Sequence, residues 1–511
     1  MLVTVLALLL VLITSVVTYP DYSKINYRNS DATWHTLLTM TAYKETPASE
    51  HLFLPIISLG RADDKGITWG STLPDANGNY YYTSFSPAGF MAPYLFCRAF
   101  YLEFTEQSLF VFNKVILMIS LIVLVHLIVL LFEGSKYKYF LAFCAVLIYI
   151  FEPEMFHSTG VTYWHQELFQ LFFLLQLTAF VRMGSQKKAQ IGFFLLAVFN
   201  PYLEWTGYIA NAGFVLAFLL ACVVEKEKKA IWYAIGTVGA TFSAGILFVL
   251  HYLTRLDRER FFATVLQRYD ARKYNGSAAI GELLRGYKVS FYAMCYIGIL
   301  FAIVISVIKV FDAVGHGEKG AIGKELYKRY IIAIVVCVPL LENLVMLHHA
   351  IAYTYDRMKL IIPICLFCCD ALNQILIRKM KLISITAAAG IVLACGINLY
   401  QYQNEDCYTW KVSYRNSNLS LAKKVAEYDD AVLGAPQVRG YCNMLFESGV
   451  YEGMTKDTVD ELIKIAKDKG KRYVILLEWE KNDPQQWNLY DFTDAIVYDM
   501  QNISNPIRLL P

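Results

Sequence analysis

The sequence predicts an α-helical multispanning membrane protein of about eleven transmembrane helices, with an outer juxtamembrane-helix loop and a small C-terminal α/β domain outside the membrane. Three observations carry that expectation. Of the 511 residues, 56% are hydrophobic and only 17% charged, against roughly 25% charged in soluble domains. Apolar runs of spanning length recur through the first 400 residues, and basic residues cluster on alternate loops between them.

A spanning helix needs about 20 mostly apolar residues, because the hydrocarbon layer is about 30 Å thick and every amide inside it must bond within the helix. Runs near 2 to 18, 110 to 132, 139 to 152, 165 to 181, 191 to 224, 231 to 253, 289 to 308, 330 to 347, 358 to 377 and 382 to 400 satisfy this. The run from 191 to 224 is too long for one span. It is broken by Asn200, Pro201, Glu204 and Asn211, so it reads as a hairpin of two short helices. The first run lacks a basic n-region and ends in Val17-Thr18-Tyr19-Pro20 rather than at a small-residue cleavage site, which makes it an uncleaved helix.

Lys136 and Lys138, Arg182 with Lys187 and Lys188, Lys226 with Lys228 and Lys229, Lys309 to Arg329, and Arg378 to Lys381 mark the cytoplasmic loops. The segments 19 to 109 and 401 to 511 then fall outside, in a multi-pass protein of the plasma membrane. One loop disagrees: residues 254 to 288 carry Arg255, Arg258, Arg260, Arg268, Arg272, Lys273 and Arg285 where the count places them outside. Either the span count is off by one or those arginines meet an anionic ligand.

A net charge of +3 with no basic tail excludes a nucleic-acid binder. Eight of the eleven cysteines lie in apolar runs as small buried hydrophobes. Cys407 and Cys442 have the placement for a bridge in an oxidising compartment, though their spacing matches no metal site. Sequons at Asn275, Asn418 and Asn502 are too few to imply glycosylation. In the tail, Ala431 to Gly434 and Tyr473 to Trp479 read as strands. Thr455 to Lys467 reads as a helix with Thr455 as its cap. The domain organisation is thus 1 to 400, membrane and loop, and 401 to 511, extracytoplasmic.

In Arg28-Asn29-Ser30-Asp31-Ala32-Thr33-Trp34-His35, followed by Leu37 and Leu38, an amphipathic helix opens on Asp31 and can rest on the bilayer surface. Further on come Ser86-Pro87 before the second span, His165-Gln166-Glu167 entering the fourth, and His348-His349 with Tyr355-Asp356-Arg357 before a late one. In order and sidedness the chain resembles the GT-C superfamily of membrane glycosyltransferases. It is most similar to the protein-mannosyltransferase and aminoarabinosyltransferase branch, which draws sugars from polyprenyl phosphates. The resemblance covers residues 1 to 400. It departs at Ala32, where a second acidic residue is frequent, at Ser86-Pro87 for the usual His-Pro-Pro, and at Glu167, where Asp is usual.

The resemblance implies Asp31 and Glu167 as catalytic candidates, with His35, His165, His348, His349, Tyr355 and Arg357 orienting substrate. Each has a plainer alternative: Asp31 or Ser30 capping its helix, Glu167 pairing with His165, the histidines binding headgroups. In the 254 to 288 loop, Arg258, Arg268 and Arg272 interleave with Phe261, Phe262, Leu266 and Tyr269, which places guanidinium groups at phosphate depth. The expected activity is inverting transfer of a sugar from a polyprenyl-phosphate donor to a glycan, lipid or protein acceptor on the outer face. No metal ligand set and no certain cofactor is expected, with a divalent cation left open. Membrane lipid is a partner and nucleic acid is not. The rivals are a transporter or flippase of lipid-linked saccharides, whose internal repeat is not visible, and a membrane acyltransferase resting on His348-His349 alone.

Overall fold

The structure, a computed structural model, describes residues 1–22, 25–27, 29–67, 69–272, 279–315, 331–404, 409–411, 415–438, 440–479 and 492–511. Lys273, the sequon at Asn275, residues 316–330 of the basic loop, and Cys407 lie outside the described residues. Cys442 is buried in the tail domain.

Every apolar run but one becomes a single helix or, for the run from 191 to 224, the expected pair. The bundle consists of α1 (Leu2–Thr18), α4 (Glu106–Leu131), α5 (Lys138–Ile150), α6 (His165–Arg182), α7 (Lys187–Leu203), α8 (Thr206–Val224), α9 (Ala230–Leu253), α11 (Ala279–Gly315), α12 (Ile361–Ile377) and α13 (Lys381–Asn404). Between them lie α2 (Ser30–Glu45) and α3 (Ala88–Ala99) of the first loop, and α10 (Arg258–Arg272) of the arginine-rich loop. Among the described residues five helices are long and apolar enough to cross a membrane. A sixth is made by α5 and the turn that follows it, if that pair, bent by 70°, is one span.

The polar residues that interrupt the 191 to 224 run do more than break it. Asn200 donates to Gln176 Oε1 at 2.6 Å, Gln176 to Asn211 Oδ1 at 2.9 Å, and Asn211 to the Ala197 carbonyl at 2.7 Å. Each buried amide thus finds a partner across α6, α7 and α8, as it must where no water competes. The run near 330 to 347 is broken by a 3-10 turn at Val338–Leu341, where Pro339 removes a backbone donor. In α11 the chain kinks at Tyr292, with φ 35° and ψ −114°.

After the last span, β4 (Thr409–Lys411) pairs antiparallel with β1 (Ile25–Tyr27), tying the tail to the first loop. The tail then forms a five-stranded sheet in the order β6-β5-β7-β8-β9. β5 (Ala431–Ala435) runs parallel to β6 (Val450–Glu452) and β7 (Tyr473–Trp479), whereas β8 (Phe492–Asp499) and β9 (Ile507–Leu509) are antiparallel. Helices α14 (Arg415–Val425), α15 (Gly440–Phe446) and α16 (Val459–Asp468) complete it. Thr455 closes a capping box with Thr458, one turn before α16.

The expectation that α2 rests on the bilayer is corrected. Leu37, Leu38 and Met40 are fully buried, and so are Thr33, Thr36 and Thr39 on other faces. This burial on all sides follows from the tail domain, which covers the side left by the bundle. Trp34 packs edge-on against Tyr441 of α15 at 4.9 Å. A Cβ on Gly440 would sit 2.8 Å from the His35 amide, so glycine permits this contact. Alongside, Lys469 donates to Asp64 of the first loop at 2.5 Å, and Gly449 N donates to the Asp64 carbonyl at 3.0 Å. Burial works against the charge of Lys469. Its hydrogen bonds to Asp64 and Tyr451 outweigh that and lift its pKa above the ordinary lysine value.

Candidate functional site

Helix α2 is fastened at its start to two distant loops. Asn29 takes the cap position in the left-handed region, at φ 58°, and makes no side-chain cap bond. Its amide instead donates to the Ala352 carbonyl at 3.4 Å, and its oxygen accepts from Thr354 N at 3.1 Å and Thr354 Oγ1 at 3.2 Å. Four residues on, Thr33 Oγ1 accepts from Tyr163 N at 3.0 Å. Asp31, in the first helical turn, is therefore held between the segment entering α6 and the segment entering α12.

A single cavity opens there. Its polar lining is Asp31 and His35 from α2, Arg268 from α10, and His349 and Tyr355 from the segment before α12. Trp69, Tyr82, Phe85, Trp164 and Tyr353 supply aromatic walls. The His35 ring is boxed by Tyr82 at 4.3 Å, Trp69 at 5.0 Å, Phe90 at 5.3 Å and Trp164 at 5.6 Å. Tyr353 and Tyr355 stack at 5.5 Å on the opposite side. Such flat apolar faces beside a few convergent polar groups are the usual composition of a sugar or small-molecule site.

The arginines divide. Arg268 Nε donates to Ser84 Oγ at 3.3 Å while its side chain lines the cavity. One turn further, Arg272 is buried with its guanidinium 5.1 Å over the Phe85 ring, and among the described residues neither Nε nor Nη2 has a hydrogen-bond partner. Arg258 lies exposed at the far end of α10, ten residues and about 15 Å from Arg268 at 1.5 Å per residue.

The other sequence candidates are distributed around this centre. His349 faces the cavity and its Nδ1 is hydrogen-bonded to Asp356, whereas the adjacent His348 is exposed on the other side of its short helix. His165 lies behind the cavity wall, packed between Phe85, Phe90 and Trp164. Glu167 is buried outside the lining, its two carboxylate oxygens without a hydrogen-bond partner among the described residues and Lys114 of α4 its opposing charge. Arg357 is turned away: Nε donates to Ser290 Oγ at 2.8 Å, and Nη1 to the carbonyls of Ala350 at 2.8 Å and Ile351 at 3.3 Å. It braces the His349 segment against α11 and lines no part of the cavity.

Sequence reasoning missed the aromatic walls from Trp69 to Tyr353, the Asn29 tether and Asp356 behind His349. The tether joins residues more than 320 positions apart, for which no local pattern exists. Among the described residues no three His, Cys, Asp or Glu side chains stand together as a metal site. Asp31 is the one carboxylate lining the cavity, so this set does not by itself hold a divalent cation.

No protein-family model and no curated protein sequence matches the chain. Solved structures do match it in fold. One is the archaeal oligosaccharyltransferase AglB from Archaeoglobus fulgidus in complex with an inhibitory peptide and a dolichol-phosphate, at 11% identity and TM-score 0.51, over 93% of this chain and 69% of that one. A second is the apo form of the Archaeoglobus fulgidus oligosaccharyltransferase, at 11% identity and TM-score 0.54 over the same shares. A third, tethered with an acceptor peptide containing the NVT sequon, matches at 10% identity and TM-score 0.50, over 92% and 68%. At such identities the likeness is one of fold, which the chain shares with these oligosaccharyltransferases.

Proposed function

We propose that this protein is an inverting glycosyltransferase that moves a sugar from a polyprenyl-phosphate donor to an acceptor on the outer face of the membrane, with a chain of about eleven spans. The observation that carries the reading is the meeting of Asp31, His349 and Arg268 in one aromatic-walled cavity, with Arg272 at its Phe85 wall holding Nε and Nη2 without a hydrogen-bond partner among the described residues. A buried cation without a partner is costly, and an anion bound beside it repays that cost. The solved neighbour holds a dolichol-phosphate, a lipid phosphate of the kind proposed here.

The acceptor hydroxyl oxygen attacks the anomeric carbon as the bond from that carbon to the phosphate oxygen breaks. The hydroxyl proton passes to the Asp31 carboxylate, and the electron pair leaves with the lipid phosphate, which Arg268 and Arg272 stabilise. The sugar lies against the tryptophan and tyrosine faces. The isoprenoid tail runs past Phe85 and Tyr202 into the apolar groove between α7 and α9, because Phe85 borders both the cavity and a small pocket that Tyr202 shares with that groove.

The test uses purified protein and a labelled polyprenyl-phosphate hexose. Release of polyprenyl phosphate by the native protein, and its loss by about 10²- to 10⁴-fold in Asp31→Asn, are the expected results. Asn keeps the size of Asp and much of its capping ability, so a structural Asp31 tolerates the change. Donor that crosses a vesicle membrane intact, without cleavage, turns the reading to a transporter.

A further inference from the structure

Behind His349 lies a buried polar network that the transfer reading does not use. His349 Nδ1 is hydrogen-bonded to Asp356 Oδ2. The other oxygen of Asp356 accepts from Gln166 Nε2 at 2.6 Å, and the same amide nitrogen reaches Glu204 Oε1 at 3.3 Å. Lys359 is committed to Glu342 by direct contact and to Thr206 Oγ1 at 3.3 Å. All of these side chains are more than nine-tenths buried.

We infer that Asp356, held by Gln166, is a positioning residue that fixes the His349 ring so that, in its imidazolium form, where both ring nitrogens donate, the Nε2–H edge faces the phosphate end of the cavity as a third donor beside Arg268 and Arg272. The geometry that supports this is specific. Because Asp356 takes Nδ1, the ring nitrogen left for the cavity that His349 lines is Nε2. A carboxylate oxygen has no proton to give at this bond, so His349 must donate from Nδ1. Asp356 cannot turn away without giving up Gln166, since its two oxygens are bonded to different elements. Gln166 sits on α6 beside Glu167, so the network anchors the loop that carries His349 to the bundle itself. The amide between Asp356 and Glu204 also prevents a simple proton wire, because a carboxamide does not pass protons as a carboxylate does. The network is a strut for one ring.

This inference rests on the transfer reading, and a double-mutant cycle separates the two. The probe is farnesyl phosphate, a short polyprenyl phosphate, titrated onto the full-length protein in detergent. Asp356→Asn reverses the hydrogen bond, since the new amide donates where the carboxylate accepted, and it should weaken binding about 10-fold, as expected for a charge-assisted contact. In a His349→Gln background the same substitution should cost nothing further, because a positioning residue acts only through the side chain it positions. Equal losses in both backgrounds, or no loss in either, overturn the inference. If Asp356→Asn does not fold, Gln166→Leu replaces it, with a smaller expected loss that again vanishes beside His349→Gln. Failure of the native protein to bind farnesyl phosphate sinks the donor reading, and this inference with it. Binding that Arg272→Gln weakens while the cycle is additive sinks this inference alone.

Discussion

Two buried arginines lie close to the candidate site, and they are used in opposite ways. Arg357 is 2% exposed and spends Nε on Ser290 and Nη1 on two backbone carbonyls. Arg272 is 6% exposed, leans on the Phe85 ring and leaves Nε and Nη2 without a hydrogen-bond partner among the described residues. Both would be called buried cations from accessibility alone. Their hydrogen bonds distinguish a brace from a group that waits for a ligand: the first holds the segment of His349 in place, and the second supplies field at a cavity.

The sharpest way to break that distinction is to remove each charge while keeping the shape. Arg357→Gln strands carbonyls of the 350 to 351 turn and Ser290 in a dry interior, at about 1 to 3 kcal/mol for each unsatisfied group. The expected outcome is a fall in the thermal unfolding midpoint of the detergent-solubilised protein by several degrees, with a loss of expression. A midpoint equal to that of the native protein would show that Arg357 is no brace.

Arg272→Gln should do the reverse. No protein hydrogen bond from Nε or Nη2 is lost, so the unfolding midpoint of the ligand-free protein stays level or rises. Farnesyl phosphate binding weakens 10- to 100-fold, the range of about 1.5 to 3 kcal/mol for hydrogen bonds to charged groups. Reduced stability with unchanged binding would place Arg272 with Arg357, and the phosphate proposal would lose its best cation.

The sequence carried much of this and hid the rest for identifiable reasons. The apolar runs predicted helices well because bilayer thickness imposes a length that composition alone reveals. The break at Asn200 to Glu204 was legible for the same reason, and its polar residues prove to be paired across three helices. What the sequence could not tell was which charged residues converge. Arg258, Arg268 and Arg272 share one helix and one composition, yet only the C-terminal end of that helix reaches the cavity. His348 and His349 are neighbours in the chain, yet one is exposed and the other buried, since adjacent helical residues point about 100° apart. Helix α2 has nearly the hydropathy of a surface helix, and only the tail domain, some 400 residues later, explains why it is buried. These are long-range facts with no local periodicity to announce them.

Arg268 and Arg258 provide the finest test, because they compare two cations on the same helix. Arg268 is half-buried, bonded to Ser84 and therefore already partly satisfied, and it touches the cavity from the more hydrated side. Solvent screens it more than Arg272, so Arg268→Gln should weaken farnesyl phosphate binding only about 3- to 10-fold. Arg258 is exposed and about 15 Å away along the helix, beyond the screening length of about 8 Å at physiological salt. Arg258→Gln should therefore leave binding at the native value, and the two affinities should converge as salt is raised, since the Arg268 contribution is the screenable one. Equal losses from both substitutions would mean that the whole helix acts as a diffuse basic surface for headgroups. The cavity would then bind its phosphate through Arg272 and His349 alone.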